Sequence, residues 1–265
     1  MPKTRLDALL VERGLYESRS RAAAAVMAGD VRLAEGAGAR DPKPGQLVAG
    51  DVELAVADPP PYVSRGGLKL ARALDDLGVD PRGRSCLDVG ASTGGFSDCL
   101  LQRGAARVIA LDVGYGELAW SLRSDARVTV LERTNARDLR PADLPYAPDL
   151  AVVDVSFISL TKVLGPVLDC LAPRRDVLAL VKPQFELGQA RVSRGGVVRN
   201  PEARREAIVE VARHARDESD CAVLGCASSG LPGPAGNEES FVWLAEAGRA
   251  GATEDLEAAA RRAEP

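Results

Sequence analysis

Between residues 85 and 246, short apolar runs alternate with segments of helical pattern, and that alternation leaves few folds open. The strand-like runs include "SCLDVG", "RVIALDVG", "RVTVLE", "LAVVDVS", "VLALVK" and "CAVLGCASS"; "GGFSDCLLQRG", "SLTKVLGPVLDCL" and "PEARREAIVEVARHAR" lie between them. Runs that are apolar throughout, rather than at every second residue, belong to strands buried on both faces. A mostly parallel sheet with helices on both sides satisfies them, so a doubly wound α/β domain is expected. Such sheets take ligands beyond the carboxyl ends of their strands, where strand order reverses. The polar residues that close the runs, Asp88, Asp112, Asp154 and Lys182, stand at that edge.

Composition removes other classes. The 265 residues contain no apolar run near the roughly 18 needed to cross a bilayer. The opening "MPKTRLDALL" carries charges where an export signal has its apolar core, so a soluble, cytoplasmic protein is expected. Five cysteines without a C-x-x-C pair argue against a disulfide framework and a zinc site. A single histidine, His214, excludes His-centred triads and multi-His metal sites, and no metal is expected. Net charge is −4, which disfavours a general nucleic-acid coating. Residues 1–50 nevertheless carry eight Lys or Arg against six acids, enough for a local basic face.

The first block supports that face. In "RLDALLVERGLYESRSRAAAAVMAGDVRLAEG", Leu6, Leu9 and Leu10 form a helical stripe that Gly14 ends. Ser18 suits the N-cap of a second, alanine-rich helix, and Gly29 and Asp30 turn the chain into the strand "VRLA". The pattern resembles the S-four-type RNA-binding domain. The resemblance implies that Lys3, Arg5, Arg19 and Arg21 face RNA phosphates; by themselves they read as a solvated helix face. "VADPPPYV" then gives a stiff polyproline-type connection. The expected division is an RNA-binding domain over residues 1–58, a linker over 59–63 and the α/β domain over 64–265.

"CLDVGASTGGF" ends the first strand of the second block with Asp88 and enters a turn of Gly90, Ala91, Ser92, Thr93, Gly94 and Gly95. Its glycines permit close backbone approach, and the helix that follows offers free N–H groups. The G-x-x-x-G-G spacing is neither the dinucleotide fingerprint nor a P-loop. Asp112 lies at the distance downstream where a carboxylate holds the two hydroxyls of a ribose, which suits NAD or S-adenosylmethionine. Asn135, in "RTNARDL", follows the third strand, where class I methyltransferases contact adenine. Each polar residue taken singly is an ordinary cap or loop group. Their recurrence at successive strand ends points to a nucleoside-bearing cofactor.

From Tyr62 to about Trp243 the chain resembles the TlyA family of haemolysin-like rRNA 2′-O-methyltransferases, relatives of the FtsJ-type enzymes. The motifs are "YVSRGGLKL", "LDVGASTGGFSDCLL", "DVGYGELAWSLRSD", "ERTNARDL", "DVSFISL", "LVKPQFELG" and "LPGPAGNEESF". The resemblance implies a class I Rossmann-like methyltransferase domain after a small N-terminal α/β RNA-binding domain. It also implies S-adenosylmethionine in the glycine-rich cleft, cytidine riboses of ribosomal RNA within ribosomal subunits as substrate, and a Lys69, Asp154, Lys182 and Glu238 tetrad. Methyl transfer to a 2′-hydroxyl needs that oxygen aligned and relieved of its proton. Lys182 serves either as a base, once neutral, or as a donor that holds and polarises the oxygen. Arg65, Arg191 and Arg194 are further candidates for RNA phosphate, the last two in the loop "QARVSRGGVVRN". Phe157 is the aromatic best placed to touch an extruded base, although core packing is the stronger reading of it. Competing readings are a noncatalytic ribosome-assembly factor, a pore former and a nicotinamide dehydrogenase. The last two lack an amphipathic spanning segment and the dinucleotide glycine spacing, respectively.

Overall fold

The computed structural model describes residues 3–16, 18–33, 42–56, 60–188, 191–193 and 195–264, which divide at Pro60/Pro61 into two compact units. In the smaller unit, helices α1 (Leu6–Glu12) and α2 (Arg19–Ala28) bury Leu6, Leu9 and Leu10 with Ala22, Ala25 and Val26. Ser18 Oγ accepts the backbone N–H of Arg21 at the start of α2, and Gly29, at φ +86°, ends it in the left-handed conformation that glycine adopts without steric cost. Two antiparallel pairs complete this unit: β1 (Lys3–Arg5) with β3 (Leu47–Ala49), and β2 (Val31–Leu33) with β4 (Leu54–Val56).

The larger unit is built on seven strands: β5 (Ser85–Val89), β6 (Arg107–Leu111), β7 (Val128–Leu131), β8 (Leu150–Val153), β9 (Asp176–Val181), β10 (Cys221–Ser228) and β11 (Ser240–Glu246). Their spatial order is β10-β11-β9-β8-β5-β6-β7. The five strands from β7 to β9 run parallel, and β11 lies antiparallel beside β9. Every residue of β8 and β9 is buried, the apolar ones as their unbroken runs require and Asp176 through its ion pairs with Arg84 and Arg249. On one face α3 (Arg65–Leu77) and α4 (Gly95–Gln102) cover Cys86, Val108 and Leu178; on the other, α6 (Leu164–Asp169) and α8 (Pro201–Glu218) cover Leu87, Ile109 and Val177. Short helices α5 (Trp120–Arg123) and α7 (Pro183–Glu186) follow β6 and β9, and α9 (Leu256–Ala263) packs on α8. Chain order reverses between β5 and β8, so their carboxyl ends open the crevice in which this architecture takes ligands. No helix among the described residues is long and apolar enough to cross a membrane.

Candidate active site

At the crevice, the backbone N–H of Asp154 donates to Val89 O at 2.8 Å, locking the ends of β5 and β8 together. Gly90 sits at φ +85°, and a Cβ there would lie 2.2 Å from the Asp154 carbonyl oxygen, so no other residue fits. Two concavities of about 460 and 540 Å³ flank this point and share Gly90, Ser92, Asp154 and Ser156. A third, of about 450 Å³, continues past Lys182 and Glu239 along Phe157, Gln184 and Phe185.

The glycine turn forms the floor. Ala91, Thr93 and Gly95 line the first concavity, whereas Gly94 packs under Leu118 and Leu122 and is absent from its lining. Asp88 is fully buried; Ser97 donates to its Oδ2 from both N–H (2.9 Å) and Oγ (2.7 Å). Its Oδ1 is buried without a hydrogen-bond partner, and Asp88 is among the residues lining the first concavity. Burial pushes the carboxyl up to about 7, the Ser97 bonds oppose the shift, and the Asp154 charge adds to it. Asp112 accepts the N–H groups of Ser92 (2.8 Å) and Gly114 (2.7 Å). Asn135 caps a 3₁₀ turn by accepting Arg137 N–H at 3.1 Å, and with Asp112 and Glu117 it lines the second concavity.

Two ion pairs line the first concavity. Lys182, delivered by the end of β9, has its Nζ 2.5 Å from Asp154 Oδ1 in a contact without hydrogen-bond alignment, and donates to Ser156 Oγ at 2.8 Å. Lys69, on α3, donates to Glu239 Oε2 at 2.5 Å; the residues are 7% and 2% exposed. The acid in the cleft is thus Glu239. Glu238, the residue expected from the sequence, is exposed and lines none of these concavities. The extended chain entering β11 turns Asn237 and Glu239 inward and Glu238 outward. Gly233 leaves the space that Glu239 Oε1 fills, since a Cβ there would lie 2.3 Å from that oxygen. Asn237 accepts Val198 N–H and donates to Gly196 O, both at 2.8 Å, tying this loop to the segment after α7.

The cations expected to meet RNA divide. Lys3 is exposed, while Arg5 and Arg19 both reach the buried Asp7, at 2.7 and 3.3 Å. The Arg5 hydrogen bond is the main cause holding the Asp7 carboxyl at about 2. Arg21 is exposed at the start of α2. Arg65 donates to Pro232 O at 2.8 Å and steadies the loop that carries Glu239, and Arg191 pairs with Glu206. Arg194 lies outside the described residues. Phe157 is 92% exposed, held out at φ +65° beside the cleft with its ring centroid 5.2 Å from that of Phe185. Core packing does not account for it. Sequence reasoning missed Ser156, although it stands two residues past the strand-ending Asp154, and Glu117, which lies in the motif "DVGYGELAWSLRSD" without a role assigned to it.

A parallel crevice with a glycine turn and strand-end carboxylates defines a nucleoside-binding α/β domain, and residues 62–246 match the FtsJ-like methyltransferase family, to which the chain belongs. Over 264 residues it is 48% identical to the 16S/23S rRNA (cytidine-2′-O)-methyltransferase TlyA of Mycobacterium tuberculosis, covering 98% of this chain and 97% of that one. Hemolysin A of Brachyspira hyodysenteriae is 39% identical over 74% of this chain and 81% of its own. A solved hemolysin-like chain from Streptococcus thermophilus superposes with a TM-score of 0.72 at 36% identity, covering 98% of this chain and 95% of the other. Within the FtsJ-like enzymes, the chain is a member of the TlyA family.

Proposed function

We propose that this methyltransferase uses S-adenosylmethionine to methylate the 2′-hydroxyl of cytidine in ribosomal RNA. The observation that carries the chemistry is the juxtaposition of the Lys182–Asp154 and Lys69–Glu239 pairs in one concavity that opens onto the glycine-turn cleft. The substrate follows the TlyA relative, whose name specifies cytidine in 16S and 23S rRNA. The cleft fits the cofactor: Asp88 offers an unpartnered buried oxygen to a cationic end, and Asp112, Glu117 and Asn135 offer polar groups to a nucleoside. The Ala91–Gly95 turn and Asn135 would line that ligand.

When bound, S-adenosylmethionine supplies an electrophilic methyl group. Lys182 has three N–H donors; one meets Ser156, one is drawn to Asp154, and the third is available to the ribose 2′-oxygen. That geometry favours Lys182 as the group that holds and orients the oxygen, whose proton would leave to water as the C–O bond forms and the methyl–sulfonium bond breaks, with S-adenosylhomocysteine as the leaving group. The Lys69–Glu239 pair fixes the opposite wall and shapes where the ribose sits. Phe157 offers an exposed face on which an extruded base stacks. The smaller unit, residues 1–58, supplies RNA affinity through Lys3, Arg5, Arg19 and Arg21, of which Arg5 and Arg19 also hold Asp7.

Lys182→Met and Lys182→Arg test this reading by transfer of labelled methyl to ribosomal subunits, with cofactor affinity measured by calorimetry. Met retains the apolar stem and should bind cofactor yet transfer nothing. Arg, which cannot release its proton near neutral pH, should keep partial activity if orientation is the role and none if Lys182 is the base. Full activity of the Met variant would remove Lys182 from the chemistry. Absence of transfer by the unaltered protein, with binding to subunits intact, would favour the noncatalytic assembly factor.

A further inference from the structure

We propose that Glu186 is a positioning residue for methyl transfer: it pins the end of the segment Ser156–Leu160 and thereby presents Phe157 to the RNA base. This rests on the methyltransferase reading above and deepens it. The segment after β8 separates two concavities. Ser156, Phe157 and Ile158 line the one that holds Asp112 and Asn135, and Ser156 and Phe157 also line the one that continues along Gln184 and Phe185. The placing of this partition therefore decides how cofactor and nucleotide meet. One residue in it is held against its own preference: Phe157 sits at φ +65°, a left-handed conformation that a bulky side chain keeps only where the surroundings enforce it. Its ring is 92% exposed, so burial does not supply that enforcement.

The enforcement comes from the two ends of the segment, and both anchors belong to one stretch of chain. Upstream, Ser156 Oγ accepts a hydrogen bond from Lys182 Nζ at 2.8 Å. Downstream, Glu186 accepts Ser159 Oγ–H on Oε2 at 2.5 Å and Leu160 N–H on Oε1 at 3.0 Å, so its two oxygens hold two successive residues. Ser159 Oγ in turn accepts Thr161 N–H at 3.2 Å and caps the 3₁₀ turn Leu160–Lys162, which makes the carboxylate the hub of the downstream end. Lys182 precedes α7 and Glu186 closes it; four residues form no stable helix alone, so these contacts also fix α7. The Phe157–Phe185 ring contact lies between the two anchors. Glu186 itself lines none of the three concavities. Its partners are a hydroxyl and a backbone N–H, and burial pushes its carboxyl up while those two bonds oppose the shift. Its effect on the reaction therefore passes through the residues it holds.

The test measures methyl transfer to ribosomal subunits, and S-adenosylhomocysteine affinity by calorimetry, on the full chain and on Glu186→Ala, Glu186→Gln, Ser159→Ala and Phe157→Ala. Glu186→Ala should lower kcat/KM for RNA about ten- to a hundredfold, the range for losing one stacked base, and leave cofactor affinity within about threefold. Glu186→Gln, whose amide can accept Leu160 N–H and donate to Ser159 Oγ, should keep at least about a third of the activity. Because Glu186 acts through Phe157, Glu186→Ala combined with Phe157→Ala should lose no more than Phe157→Ala alone. Ser159→Ala removes one of the two bonds and should show a smaller loss with the same coupling to Phe157. It carries the test if urea titration shows that Glu186→Ala does not fold. Losses that multiply in the double variants, a folded but inactive Gln variant, a parallel loss of cofactor affinity, or full activity of Glu186→Ala would each overturn the proposal. Absence of transfer by the unaltered protein would sink the methyltransferase reading, and this proposal with it.

Discussion

Glu239→Ala beside Glu238→Ala separates two adjacent acids by burial. Lys69 and Glu239 are 7% and 2% exposed, and their contact is 2.5 Å. Removing the carboxylate leaves the Lys69 ammonium enclosed without its anion, which costs about 3–5 kcal/mol. Glu238 points to solvent, and its loss should change stability by no more than about 0.5 kcal/mol. In urea, with a slope of about 3 kcal/mol/M, Glu239→Ala should lower the midpoint of the larger unit by about 1–1.7 M while Glu238→Ala leaves it in place. A third variant separates folding from chemistry. Lys69→Met with Glu239→Leu removes both charges and fills the site with apolar volume, an exchange that is often neutral or stabilising. It should recover the midpoint and still transfer no methyl group. Equal midpoints for the two single variants, or transfer lost in Glu238→Ala and kept in Glu239→Ala, would refute the reasoning.

Asp88 gives a pH dependence. Its folded value of about 7 exceeds the ordinary carboxylate value of 3.8, so the stability it contributes is complete below pH 4 and is lost as pH rises toward 7. The ionised form attracts a cationic ligand, so affinity for S-adenosylmethionine should rise through pH 7, with a proton released on binding below it; calorimetry in buffers of different ionisation enthalpy measures both. Asp88→Asn should flatten the profile, and an unaltered slope in that variant would exclude Asp88 as its source. Gly233→Ala places a methyl group 2.3 Å from Glu239 Oε1 and should displace the carboxylate from Lys69. Single-turnover methyl transfer should fall about tenfold or more with the fold retained, whereas full activity would show that the fixed carboxylate is dispensable.

The sheet was legible because its strands carry their burial in the sequence. "LAVV" and "VLALV" are apolar at every position, and each is followed at once by a polar residue that the crevice uses, Asp154 or Lys182. Lys69 was less legible. Its helix offers an apolar stripe of Leu70 and Leu74 with Lys69 beside it, which by itself describes a solvated lysine; only Glu239, 170 residues away, makes burial tolerable. The basic patch of the smaller unit suffers from the same long-range ambiguity. Nothing local distinguishes Arg5 and Arg19 from free surface cations, yet both bend to Asp7, whose own burial follows from the packing of α1. Phe157 fails in the opposite direction. An aromatic amid apolar neighbours reads as core, and only the left-handed backbone at that residue, invisible in composition, turns the ring outward.

The one-residue displacement from Glu238 to Glu239 shows where a motif stops and geometry begins. "GNEES" places two identical acids in succession, so residue type cannot choose between them. Period two can, provided the phase is known: in an extended segment successive side chains point to opposite sides, and a shift of one exchanges every inward group for an outward one. The phase is set downstream by Phe241, which is fully buried against Leu180 and Phe96, and Glu239, two residues before it, must share its inward side. Asn237, two residues earlier again, is likewise buried and bonded, while Glu238 is exposed. Counting back from a core aromatic in steps of two therefore selects the acid that meets Lys69.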